Sequence, residues 1–205
     1  GQIYNSNRYA LSAMLRNMGM KVIDLGIVAD TPEATEQALL DAASMADCIL
    51  TSGGVSVGEE DHVKAAVEKL GKLELWKLSI KPGKPLAYGE VQGVPFFGLP
   101  GNPVSTFVTF HIVARQYLLA MQGRRDYKPF CVTGVSDFSF KGGGRREYLR
   151  VQIQNIEGQT RLSKFPNQGS GIMTSVVWAD ALAMVEAGQV VQPGDRLTIY
   201  PLALC

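Results

Sequence analysis

Through the first two-thirds of the chain the spacing of apolar residues switches repeatedly between two periods. Over residues 5–18, apolar side chains at Tyr9, Leu11, Met14, Leu15 and Met18 recur at the spacing of one helix face, and Gly19 supplies a C-terminal stop. Residues 21–25 then read as a strand and residues 33–45 as an Ala/Leu-rich helix. Residues 47–51 predict a short buried strand, and residues 61–70 a helix halted by Gly71. Strands are predicted over 73–80, 86–91 and 95–99, followed by a long, mostly apolar helix over 104–121. Strands alternating with helices predict an α/β domain, a three-layer αβα arrangement whose mostly parallel sheet is covered on both faces.

After the sequence Gly-Arg-Arg-Asp at 123–126 the helical period is lost. Short runs rich in Val, Ile, Tyr and Leu alternate with turn sequences at Asp137, 142–144, 155–158, 167–171 and 193–195. That spacing predicts a small, barrel-like all-β domain. The reading therefore divides the chain into an α/β domain over 1–126 and a β domain over 127–205.

Composition narrows the function. With 46% hydrophobic and 19% charged residues the chain is a globular protein able to bury a core. A formal charge of +1 without like-charge runs gives no footprint for nucleic acid or an anionic membrane. The sequence has no apolar run near the ~20 residues of a membrane span and no basic-then-apolar leader, so a cytoplasmic protein is expected. Three widely spaced cysteines imply reduced thiols. Two histidines argue against a His-ligated metal or a Ser-His-Asp triad.

Three Gly/Pro segments carry the candidate chemistry. Residues 51–58, Thr-Ser-Gly-Gly-Val-Ser-Val-Gly, join a buried strand to a helix, the place where open α/β sheets bind ligands. Gly53, Gly54 and Gly58 let backbone N–H groups approach an anion, and Ser52 and Ser56 add hydroxyls. The next helix, starting near residue 60, would aim its positive end there. The segment is neither a Walker loop nor G-x-G-x-x-G, so a plain turn is the competing reading. Residues 98–103, Gly-Leu-Pro-Gly-Asn-Pro, precede the long helix; Asn102 suits its N-cap and Pro103 its first turn, which leaves Pro100 and Gly101 unexplained. Residues 81–85, Lys-Pro-Gly-Lys-Pro, place Lys81 and Lys84 on a stiff turn, as point charges suited to phosphate. Asp30 and Asp61 stand at helix starts. Each is explained as a cap or dipole partner, Asp30 in a capping box with Glu33. Beside phosphate loops, both could instead hold Mg²⁺.

Taken in order, 51–64, 81–89 and 98–107, with 1–11 and 26–33, resemble the signature segments of the molybdopterin molybdenumtransferases, the MoeA and gephyrin E-domain family. Residues 144–150 and 167–182 resemble its C-terminal β domain, so the likeness covers essentially the whole chain. It implies a first domain like those of MogA and MoaB, and a Mg²⁺-dependent insertion of molybdate into adenylylated molybdopterin with release of AMP. It also implies a homodimer that works with a molybdopterin adenylyltransferase. By position it assigns Asp30 and Asp61 as functional carboxylates and cation ligands, Lys77 and Lys81 as cleft lysines, and Pro100 and Pro103 as residues shaping the cleft. Family members carry two further upstream domains and a preceding strand ending in Thr-Gly-Asp-Glu, so the 205-residue segment alone is expected to be inactive. Two other readings are an adenylyltransferase on the same fold and a non-catalytic scaffold that binds receptor segments.

Overall fold

The computed structural model describes residues 5–54 and 62–202, without the side chains of Leu75 and Trp76. The chain forms two compact units. One comprises Gly1–Leu78 and Gly83–Thr109, the other Ser79–Pro82 and Phe110–Cys205.

The first unit opens with α1 (Ser6–Asn17), whose N-cap Asn5 accepts from Arg8 N at 3.3 Å. Helix α2 (Pro32–Met45) is capped by Thr31, whose hydroxyl accepts from Ala34 N at 3.2 Å. The cap is therefore Thr31 rather than the predicted Asp30. A β-region Thr followed by proline at the first helical position meets the geometry one residue later. Strand β1 (Ile49–Ser52) and α3 (His62–Leu70) follow, then β2 (Gly71–Lys77), β3 (Ile80–Lys81), β4 (Pro85–Val91), β5 (Val94–Leu99) and α4 (Pro103–Thr109).

The predicted strand over 73–80 is in fact two strands in different sheets, since β3 pairs in the second unit. The predicted strand over 21–25 is absent. Its residues are irregular, with Ile23 and Leu25 exposed. A β ladder needs a neighbour for its backbone groups, and among the described residues β1 pairs with β5 alone.

The sheet order is β1-β5-β4-β2, and it is mixed rather than mostly parallel. Only β1 and β5 run parallel; β5 with β4 and β4 with β2 are antiparallel. The cause is local. Gln92 and Gly93 both take positive φ, 50° and 79°, forming the two-residue turn that folds β4 directly back on β5. Helix α3 ends at Leu70, directly before Gly71 as expected, and Gly71 itself opens β2, where a Cβ would lie 2.0 Å from Glu90 O. Gly89 faces the same constraint against Lys72 O at 2.1 Å. Two backbones approach there too closely for any side chain.

Helices cover both faces, as predicted. Leu39, Ala66 and Val67 of α2 and α3 pack on Ile49, Ala87, Val91 and Phe96. Strand alternation turns Leu86 and Phe97 to the other side, where α4 packs on β5 and α1 on α4. Phe96, Leu86 and Leu99 are fully buried, so truncating one to Ala costs about 2–5 kcal/mol.

In the second unit, the run begun by α4 continues as a π turn (Phe110–Ala114) and α5 (Arg115–Met121). The barrel-like prediction holds. Strands β6 (Val132–Ser136), β8 (Arg146–Ile156), β9 (Gln159–Lys164), β10 (Ala181–Val185) and β12 (Arg196–Pro201) close in the order β10-β12-β6-β9-β8-β10. The short strands β7 (Phe140–Lys141) and β11 (Val190–Val191) pair with each other, and β3 adds to β8. Helix α6 (Thr174–Trp178) lies between β9 and β10. Alternate residues fill the interior: Leu149, Val151, Leu162, Ala181, Ala183, Val185, Leu197 and Ile199 form one core. Glu157 and Gly158, with φ of 52° and 77°, make the tight turn from β8 to β9.

Candidate functional site

In the α/β unit the site forms where β1 and β5 end. Ser52 pairs with Leu99, so both strands release their loops at the same level. Gly53 N then donates to Leu99 O at 3.0 Å, carrying the pairing one residue beyond the sheet. Gly53 and Gly54 have φ of 86° and 67°, a region that Cβ-bearing residues enter at a cost of about 1–2 kcal/mol. A Cβ on Gly101 would sit 3.6 Å from Gly53 Cα, ordinary contact, so the fold itself does not require glycine there.

A residue the sequence reading passed over joins the two loops. Asn7, in the first turn of α1 and 7% exposed, donates from Nδ2 to Ser52 Oγ at 2.8 Å and to Gly101 O at 2.7 Å. Its only advance sign is a polar side chain on a helix that otherwise buries Leu11. A second fastening comes from Thr106, whose hydroxyl donates to Pro100 O at 2.5 Å and to Asn102 O at 3.1 Å. Pro100 is buried, Gly101 and Asn102 are exposed, and Pro103 opens α4 as expected.

The third segment reaches the same end of the sheet in part. Ala87 pairs with Gly98 in antiparallel register, so Pro85 and Lys84 lie at the end where Leu99 runs into Pro100. Lys84 is exposed, and its carbonyl accepts from Leu78 N at 2.9 Å. Lys77, also exposed, pairs across from Pro85. Two strand spacings, roughly 10 Å, separate the β4 end from β1. Lys81 belongs to the second unit. Its Nζ lies 3.1 Å from Oε2 of Glu147, a carboxylate 4% exposed whose Oε1 accepts from Gly143 N at 2.8 Å. The sequence reading left Lys81 without that partner.

Ser56, Gly58 and Asp61 lie outside the described residues. Asp30 is exposed and takes part in none of the ion pairs among the described residues. No group of three or more His, Cys, Asp or Glu among the described residues could hold a metal. A free carboxylate is nevertheless the donor type Mg²⁺ prefers, and one or two carboxylates with substrate phosphates suffice for it.

The β-rich unit has its own buried polar centre, also unforeseen. Arg150, 1% exposed on β8, donates to Tyr148 O at 3.1 Å, Gly169 O at 3.2 Å and Ser175 Oγ at 3.2 Å. Burial lowers its pKa to about 10, opposed by the charge of Glu147. Gln168 brackets the same strand, accepting from Arg150 N at 2.9 Å and donating to Arg150 O at 3.0 Å. Together they hold the segment 167–175 against the strand.

An α/β unit with glycine loops gathered at the ends of two strands, followed by a closed β barrel, is a ligand-binding class of architecture. The chain belongs to the family of probable molybdopterin binding domains, whose model matches residues 1–120, and residues 135–202 match the MoeA C-terminal region, domain IV. The resemblance read from the sequence motifs is thereby borne out. A molybdopterin molybdenumtransferase of Haemophilus influenzae is 38% identical over 98% of the chain and 51% of its own length. The molybdenum cofactor synthesis protein cinnamon of Drosophila melanogaster is 33% identical over 91% of the chain and 32% of its own length. Among solved structures, a molybdopterin biosynthesis MoeA protein from Pyrococcus horikoshii superposes with a TM-score of 0.80 at 27% identity, over 98% of this chain and 48% of that one. The chain spans about a third to a half of the length of these relatives. Among the described residues no helix is long and apolar enough to cross a membrane.

Proposed function

We propose that this chain forms part of a molybdopterin molybdenumtransferase, a longer protein of molybdenum cofactor biosynthesis that inserts molybdate into adenylylated molybdopterin and releases AMP. The observation that carries the reading is the Asn7 stitch, which holds the 52–54 and 99–102 loops together at the strand ends of a molybdopterin-binding-type domain. Backbone N–H groups of residues 52–58 and of Gly101 and Asn102, with the Ser52 and Ser56 hydroxyls, bind the pterin-linked phosphates, and Pro100 and Pro103 shape the loop. Lys77 and Lys84 supply positive charge that attracts molybdate and offsets the substrate's anionic charge. Asp30 and Asp61 would hold Mg²⁺, which would supply positive charge to offset that of the substrate's phosphates. No covalent protein nucleophile is needed, so the protein's part is positioning and charge compensation. A cytoplasmic homodimer that receives its substrate from a molybdopterin adenylyltransferase completes the proposal.

The test uses the full-length protein and follows molybdate-dependent release of AMP from adenylylated molybdopterin. Asp61→Ala is expected to lower that rate on the order of a hundredfold or more while leaving the thermal midpoint unchanged. Activity retained in the variant removes Asp61 from the mechanism. ATP-dependent adenylylation of molybdopterin, with no molybdate-dependent step, would replace the reading with an adenylyltransferase.

A further inference from the structure

The β-rich unit contains a cavity of about 320 Å³, within the range of small-molecule sites, built from residues of that unit alone. One wall is the π turn and α5. Such a turn widens the helix by one residue and re-aims the side chains that follow. Here Gln116 Nε2 donates to His111 O, five residues earlier, at 2.7 Å. That bond fixes the amide, and Gln116 Oε1 is left buried without a hydrogen-bond partner, as is Arg115 Nε beside it. Both residues line the cavity, so the two unmet polar atoms belong to side chains of its wall.

The charge in the cavity has a sign. Arg115, Arg124 and Lys128 line it against a single carboxylate, Asp126, and none of the four is in an ion pair among the described residues. Burial, reinforced by Arg115, lowers the His111 pKa to about 4, so the imidazole is neutral and leaves the excess at two positive charges. The remaining wall is apolar, with Leu119, Phe130 and Leu182.

We propose that this cavity binds a small organic anion. Arg115, with Arg124 and Lys128, takes its carboxylate or phosphate head, and Leu119, Phe130 and Leu182 enclose an apolar or aromatic body. The assignment stands independently of the molybdenum-transfer reading.

Cys131 makes the proposal testable without any substitution, because it lines the cavity and carries an exposed free thiol. The intact protein is alkylated with iodoacetamide in the presence of phenyl phosphate, benzoate, inorganic phosphate or neutral benzyl alcohol, and each cysteine is followed by peptide mass spectrometry. Cys48, whose thiol burial pushes up to about 12, is the internal reference. One aromatic anion is expected to slow Cys131 alkylation saturably by about fivefold or more, leaving Cys48 unchanged, and the stronger of the two identifies the head group. Arg115→Met is expected to raise the half-protecting concentration about tenfold, and Lys128→Gln, at an exposed position, severalfold. The proposal is overturned by no protection from either aromatic anion at about 10 mM, by equal protection from benzyl alcohol or inorganic phosphate, or by unchanged protection in both variants.

Discussion

The two units solve the same problem, fixing irregular loops against a regular sheet, with different side chains. In the α/β unit Asn7 reaches Ser52 and Gly101 with one neutral amide. In the β-rich unit Arg150 reaches Tyr148, Gly169 and Ser175 with a guanidinium whose charge is buried among carbonyl and hydroxyl dipoles. An amide holds its loops without adding charge, so the phosphate loops of the proposed site keep their field for the ligand. Arginine grips more partners at a larger desolvation cost, and its lowered pKa records that cost.

The strongest test of the contrast removes the arginine. Arg150→Ala leaves two backbone carbonyls and the Ser175 hydroxyl without that partner, so a loss of about 3 kcal/mol is expected, measured by urea unfolding. A loss below about 1 kcal/mol would mean that segment 167–175 holds itself without the arginine.

Nearly as large is a pH effect from a half-buried base of the same unit. The His111 pKa falls from 6.5 to about 4 in the folded state, so the unfolded chain binds the proton more tightly. Stability linked to neutral His111 is therefore complete above pH 6.5 and is lost as pH falls toward 4, by up to about 3 kcal/mol. Urea midpoints recorded across that window should flatten in His111→Gln; an unchanged slope would assign it to other groups.

Asn7→Ala should cost about 1–2 kcal/mol and, more tellingly, loosen both glycine loops, seen as faster amide exchange at Gly53 and Gly101. If only one loop responds, the stitch is not shared. The smallest effect is expected at Gly101→Ala, under about 0.5 kcal/mol, because its Cβ meets only ordinary contact. Should that variant keep its stability yet fail to bind molybdopterin in the full-length protein, the glycine serves the ligand's approach rather than the fold.

Periodic features were legible in the sequence: helices α1, α2 and α3, strands β4 and β5, and the barrel, each resting on a local repeat of apolar positions. Loop placement at strand ends was legible as well, through glycine and proline. What escaped depends on contacts distant in sequence. Nothing within a few residues of Asn7 announces Ser52, 45 positions away, or Gly101, 94 away. The same holds for Lys81 and Glu147, and for Arg150 with Ser175. The antiparallel order was hidden because Gln92, a non-glycine, adopts positive φ in the turn. The strand over 21–25 failed for the converse reason: its apolar residues match a strand, but among the described residues no strand pairs with it.

The placement of β3 has a consequence for how this protein could be taken apart. The backbone passes from one unit to the other at 78/79, returns at 82/83 and leaves again at 109/110. Cutting once, at 126 or anywhere else, yields no clean pair of modules. A fragment lacking the barrel would still carry Ser79 and Ile80, whose carbonyls accept from Arg146 N and Arg145 Nη1, bereft of those donors. Gene fusions that swap the β barrel between relatives would have to exchange four residues of the first half together with it.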